Sequence, residues 1–349
     1  MCEQTITCAR YFKDIHRKRV FMLGLIPPPF GGVSVHVQRV SEKLAQNNSI
    51  HLFDVIKEYQ KRSRIGYSIF LLRQLWRFKP DIIYYHTLFL RNSLAELFLL
   101  IFYARVTRAK LDLVEHSTRF LYQRSRVYIF FLNRLMRLVN KQILIGTPML
   151  KAYHDNGVIL RNYEVESSFV PPDITQDKDL YAQYPRSLHD FIAQNKFVML
   201  MNASKFGLWN GQDIYGFDLC IQLIHDLKSY DVSLIIAAGT IYDHKHYELI
   251  RQQLHNNPRV YFLIDYPHEL WPLIKRVNLF LRPSRYDNCS VSVLEAAWFG
   301  VPIIASDVTE RPKETQVFKT GDYAAFLNCV QIARTRSRTN TQITPRCQV

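Results

Sequence analysis

Short apolar runs alternate along this chain with longer segments in which apolar positions return every three or four residues. Residues 19–26, 50–56, 81–87, 109–116 and 141–147 are mostly apolar throughout, as strands buried on both faces of a parallel sheet must be. After the first run, Val33, Val37, Val40 and Leu44 recur at spacings of 4, 3 and 4, which predicts an amphipathic helix. The order then restarts. Strands are expected at 197–203, 232–239, 260–265, 279–284 and 301–307, with helices at 214–228, 245–255, 268–277, 290–299 and 321–333. Two blocks of strand–helix alternation predict an α/β chain of two doubly wound, parallel-sheet (Rossmann-like) domains facing across a cleft.

A polar, proline-bearing stretch separates the blocks. It sets the expected boundaries: a first domain over 1–172, a linker over 173–195 and a second domain over 196–333. Residues 334–349 are rich in Arg and Thr without apolar periodicity and read as a loose tail.

Composition agrees with two folded domains. The chain has 349 residues, 48% hydrophobic and 13% aromatic, which excludes a disordered polymer. The formal net charge of +15 asks for a polyanionic partner. Its distribution sharpens this. Residues 1–151 hold 25 Lys/Arg against 9 Asp/Glu, whereas the remainder holds 20 against 21. The six cysteines, Cys2, Cys8, Cys220, Cys289, Cys329 and Cys347, form no CxxC pair and read as free thiols of a reducing compartment. The first residues have no apolar core of the secretory kind, and no run reaches the ~20 apolar residues of a membrane span. A cytoplasmic chain is expected.

Two motifs carry chemistry. The first strand runs into Pro27-Pro28-Pro29-Phe30-Gly31-Gly32 and then a helix. The glycines let backbone approach a ligand, and a helix start offers free N–H groups, so Gly31 and Gly32 suit a phosphate. An ordinary tight turn is the plainer reading. In the second motif, a strand ending at Ser284 leads to Asp287 on a loop and Glu295 in a helix. Paired carboxylates read adjacent sugar hydroxyls, and the Asn288, Cys289 and Ser290 amides at the helix start suit phosphate or sugar oxygens. Glu295 lies in an apolar stretch, where a buried carboxylate needs a partner. There is no Asp-x-Asp and no His/Asp cluster in sequence that would hold a metal by itself, so neither metal nor cofactor is expected.

The combination PPPFGGVSVHVQRVSEKLA, VPPD and RPSRYDNCSVSVLEAAWFGVPIIASDV resembles the retaining glycosyltransferases of family 4, the glycosyl transferases group 1, with the GT-B fold. The resemblance implies that Glu295 binds the ribose of a nucleotide diphosphate sugar and Asp287 contacts the transferred sugar. It also implies that Gly31 and Gly32 cover the diphosphate and that His116 lies near the reacting sugar. Two departures stand out. The first acid of the family pair is a Glu, here shortened to Asp287, and the Phe-Gly between the acids is replaced by Cys289-Ser290. The family's Lys before a Gly is replaced by Tyr215 before Gly216, which leaves Lys205 as the expected diphosphate cation, with Arg282 and Arg285 as alternatives.

The expected activity is transfer, with retention, to a glycan or lipid-linked acceptor, in bacterial surface polysaccharide or related glycan synthesis. The alternatives are a GT-B scaffold that has lost catalysis, or an epimerase of the same fold. Residues 66–79 and 119–141 mix large apolar residues with Arg and Lys, which predicts that the basic half rests on an anionic membrane surface. No nucleic-acid-binding signature accompanies the charge, so no nucleic acid partner is expected.

Overall fold

The computed structural model describes residues 8–87, 93–117, 121, 124–254, 257–266 and 268–340. Two units emerge. One comprises Thr7–Pro27 and Val33–Pro171, and the other takes in Pro28–Gly32 together with Pro172–Val349.

In the first unit, β1 (Arg19–Gly24) leads through α1 (Gly32–Ala45) to β2 (Ser49–Asp54). The Asp54 carboxylate accepts from the Lys57 amide and ends this strand by capping α2 (Val55–Gln60). Then follow α3 (Arg64–Phe78), β3 (Ile82–Thr87), α4 (Ser93–Thr107), β4 (Lys110–Glu115), α5 (Arg126–Met136), β5 (Lys141–Ile145), α6 (Pro148–Asp155) and β6 (Tyr163–Glu166). The six strands are parallel, in the order β2-β1-β3-β4-β5-β6. Leu71 and Leu75 of α3, with Leu100 and Tyr103 of α4, pack on Phe21, Ile83, Leu111 and Leu144 of the sheet. Each such side chain contributes roughly 1.5–3 kcal/mol on full burial.

The second unit contains α7 (Asp177–Ala182), α8 (Arg186–Gln194), β7 (Val198–Ala203), α9 (Phe217–Asp226), β8 (Ser233–Ala238), α10 (His244–Gln253) and β9 (Val260–Ile264). It continues with α11 (Trp271–Ile274), β10 (Leu279–Arg282), α12 (Val291–Trp298), β11 (Ile303–Ser306), β12 (Thr315–Phe318) and α13 (Tyr323–Asn340). Its parallel order is β12-β11-β10-β7-β8-β9. The strand period of two explains the apolar runs. Met199, Met201, Leu234 and Ile236 face Phe217 and Leu223, while Val198, Leu200 and Ile235 face Leu188, Leu273 and Ala296.

Four expectations change. Each sheet has a sixth strand, β6 and β12, that the pattern did not mark. Both are four-residue edge strands, and β6 reads YEVE because little of it is buried. The segment 173–195 is no bare linker, since it folds into α7 and α8 and Leu188 is fully buried. The tail expected from Arg334 is helical to Asn340, with the Arg334 guanidinium 4.2 Å from the centre of the Tyr230 ring. Residues 341–349 lie outside the described residues. The helix expected at 268–277 shrinks to α11. Cys8, Cys220, Cys289 and Cys329 form no disulfide among the described residues, and Cys2 and Cys347 lie outside them.

Candidate functional site

Ligands of open α/β sheets sit beyond the carboxyl ends of the strands. In the second unit those ends carry Ser204 after β7, Gly239 after β8 and the loop from Pro283 to Ser290 after β10. The segment Pro28–Gly32 lies against them. A Cβ on Gly239 would stand 2.7 Å from the Phe30 carbonyl oxygen, so only glycine allows this approach. A Cβ on Gly31 would meet the Ser204 Cβ at 3.3 Å, and one on Gly32 would meet Val291 at 3.7 Å. The Tyr266 hydroxyl donates to the Phe30 carbonyl at 3.4 Å. Backbone at Gly31 and Gly32 therefore runs beside Ser204 and the first residue of α12.

Glu295 lies in α12 and is only 3% exposed. Burial first, and then the Glu295 carboxylate, raise the Tyr266 phenol above its ordinary pKa. The same carboxylate contributes to the raised pKa of Tyr184, after burial and Tyr266. Glu295 thus lies within electrostatic reach of two phenols, in the unit that holds Gly31 and Gly32.

Asp287 is placed differently from the expected sugar-binding acid. Arg282 grips it bidentately, Nε to Oδ2 at 3.0 Å and Nη2 to Oδ1 at 3.0 Å, and Arg311 Nη1 donates to Oδ2 at 2.8 Å. Burial alone would raise its pKa, but the two guanidinium groups outweigh that and hold it below the usual carboxylate range. Both oxygens are committed to arginines. Arg282 is itself anchored by donating to the Asn202 carbonyl at 2.7 Å.

Asn288 and Cys289 are half-buried on the loop, and Ser290 is the N-cap of α12. The Ser290 hydroxyl shares a hydrogen bond with Ser292 at 3.2 Å. Lys205 is exposed two residues past β7, its Nζ 5.5 Å from the centre of the Tyr242 ring. Tyr215 is buried and hydrogen-bonded to the Ser204 hydroxyl at 2.7 Å. Gly216 has φ +80°, and a Cβ there would fall 2.3 Å from the Pro283 carbonyl oxygen. Arg285 is paired with Asp218 at 2.7 Å.

His116 belongs to the first unit, just after β4. Its Nε2 shares a hydrogen bond with His86 Nδ1 at 3.0 Å, and the two rings stack. His36 of α1 completes a buried trio whose ligand nitrogens lie within 4.8 Å of one another. The sequence holds no contiguous cluster of this kind, and the fold assembles one. These residues are 30 and 50 apart in sequence, and only the sheet order joins them. Tyr266 and Arg311 were missed for the same reason.

Residues 212–322, which hold the Asp287–Glu295 loop and helix, match the family model for glycosyl transferases group 1. This region belongs to that family. The O-antigen biosynthesis glycosyltransferase WclY of Escherichia coli is 34% identical over 94 residues, 27% of this chain. The match spans only 25% of that relative's length. Two solved structures are alike over almost the whole chain. Anabaena Alr3699/HepE in complex with UDP-glucose has a TM-score of 0.66 at 15% identity, covering 92% of this chain and 91% of its own. Sucrose-phosphate synthase from Thermosynechococcus elongatus has a TM-score of 0.64 at 14% identity, covering 91% and 90%. The group 1 region therefore sits within a GT-B fold.

Proposed function

We propose that this group 1 chain transfers a sugar, with retention, from a nucleotide diphosphate sugar to a glycan or lipid-linked acceptor in surface polysaccharide synthesis. The observation that carries the proposal is the packing of Phe30–Gly32 against the strand ends beside α12, the helix of Glu295. Glu295 would accept from the ribose hydroxyls. The Gly31 and Gly32 backbone would approach the diphosphate closely, as glycine alone allows. The amides of Asn288, Cys289 and Ser290 would meet sugar or phosphate oxygens. Lys205 would offset charge developing on the leaving diphosphate. Asp287 would act by holding Arg282 and Arg311 in place. The donor is a co-substrate, and no metal is assigned to the diphosphate. Support for a nucleotide donor comes from the UDP-glucose in HepE, and for the pathway from the name of WclY.

The basic first unit would meet the acceptor at an anionic membrane face, on the cytoplasmic side. α3, α4 and α5 are neighbours. They leave Ile65, Trp76, Phe98, Phe102, Phe130 and Phe131 exposed, interleaved with arginines such as Arg73, Arg77 and Arg134. Basic residues near an anionic surface contribute about 1 kcal/mol each. No described helix is long and apolar enough to cross a membrane.

The test is a screen of nucleotide diphosphate sugars for thermal stabilisation, followed by transfer assays. Stabilisation by one donor, abolished in Glu295→Ala, is the expected result. No stabilisation by any donor would sink the reading. A second reading, a GT-B scaffold without catalysis, draws on the buried Tyr215 and the arginine-bound Asp287. It requires Glu295→Ala to leave the biological role intact.

A further inference from the structure

Three elements of the first unit bring histidine side chains to one place. His36 lies on α1, which follows β1. His86 lies in β3, and His116 directly follows β4. In the order β2-β1-β3-β4 the connections leave β1 to one side for β2 and return on the other side for β3. In open α/β sheets such a reversal marks the carboxyl ends where ligands usually sit. Gly24 closes β1 there. A Cβ on it would stand 3.1 Å from the His86 Cβ and 3.2 Å from a Val37 methyl, so its bare backbone lets His86 and α1 approach.

The trio has the features of a ligand set. One nitrogen of each ring falls within 4.8 Å of the others. His36 Nδ1 is 2.8 Å from the Ser168 carbonyl oxygen, so Nδ1 carries the proton and donates, and Nε2 is left with a lone pair. A backbone carbonyl orienting one ring nitrogen while the other coordinates is the common support of a metal-bound histidine. The Tyr11 hydroxyl stands 3.0 Å from that Nε2 and would be displaced or join as an oxygen ligand.

His86 supplies an independent sign. It is 2% exposed, and its Nε2 is buried with no hydrogen-bond partner. A histidine pair that served only packing would leave this nitrogen uncompensated. A metal bound at Nε2 would satisfy it.

We propose that His36, His86 and His116 form a binding site for one divalent transition-metal ion of the zinc class. All-imidazole ligation suits zinc, copper and nickel, whereas magnesium and calcium demand oxygen ligands. Three protein nitrogens leave a coordination position open.

The experiment uses the full chain, stripped by chelator and titrated with Zn2+ by calorimetry and with Co2+ by visible absorption. The expected result is one ion per chain and visible d–d bands on Co2+ loading. Affinity should fall by roughly 100-fold or more in His86→Ala, beyond the effect of losing an outer-shell partner. The exposed-histidine variant His154→Ala should bind as the parent does. Absence of stoichiometric binding to the parent chain overturns the proposal, whether or not the variants fold. So does binding that survives both His36→Ala and His86→Ala.

Discussion

Tyr266 reaches back across 236 residues of sequence to donate its hydroxyl to the Phe30 carbonyl. The same phenol lies in the field of Glu295. One side chain thus ties the glycine segment to the region of the proposed ribose-binding acid. Tyr266→Phe keeps the ring and loses the tether. A hydrogen bond of this kind contributes about 0.5–1.5 kcal/mol, so affinity for the donor should weaken by roughly 2- to 10-fold with the fold intact. Calorimetric titration with the donor found in the screen checks this, and an unchanged Kd would show that the tether does not hold the segment.

Asp287→Ala would leave Arg282 and Arg311 facing each other without their shared anion. The Arg282 side chain is 9% exposed, and those of Arg311 and Asp287 are 3% and 8% exposed. Removing one partner of a buried ion pair typically costs about 3–5 kcal/mol. The second unit should unfold at markedly lower urea concentration than in the parent. A change in midpoint no larger than that of an exposed pair such as Arg19–Asp81 would contradict the arrangement.

Two glycines with left-handed backbone should respond unequally to alanine. Gly300, φ +67°, has open space where a Cβ would go, so Gly300→Ala should cost only the strain of about 1–2 kcal/mol. Gly216 has the same strain plus the Pro283 carbonyl at 2.3 Å. Gly216→Ala should be far more destabilising and displace the loop leading to Asp287. Thermal unfolding of the two variants side by side decides it.

Glu96 of α4 accepts hydrogen bonds from the Tyr67 and Tyr85 hydroxyls, the latter at 2.5 Å. Burial raises its pKa above 4.5, and the two phenols offset this only in part. The folded chain therefore keeps this proton to higher pH than the unfolded chain does. Between 4.5 and the folded value the native state binds more protons, so stability from this group falls as pH rises. Glu96→Gln cannot ionise. Its stability relative to the parent should improve as pH climbs through that window and then stay level. Urea midpoints measured below pH 4.5 and at neutral pH give the difference, and a pH-independent difference would refute the assignment.

The apolar runs made both sheets legible, because strands buried on two faces carry an unbroken signature. They did not mark β6, which buries almost nothing, or β12, where Thr315 and Gln316 interrupt the apolar run. The glycine segment and Glu295 were readable because each motif is contiguous. What Asp287 touches was not, since Arg311 lies 24 residues on and is brought beside it by the turn after β11. The histidine trio left no local trace at all. Each member is a lone histidine on its own segment of the chain, and only the strand order makes them neighbours.

The grouping of Pro28–Gly32 with residues from Pro172 onward has a practical consequence for recombination. A chimaera made by grafting residues 172–349 onto the front half of a relative would carry Gly239 and Tyr266 but receive a foreign strap against them. Exchange of donor preference by such grafts should succeed only when residues 28–32 travel with the rest, as a second, short insert.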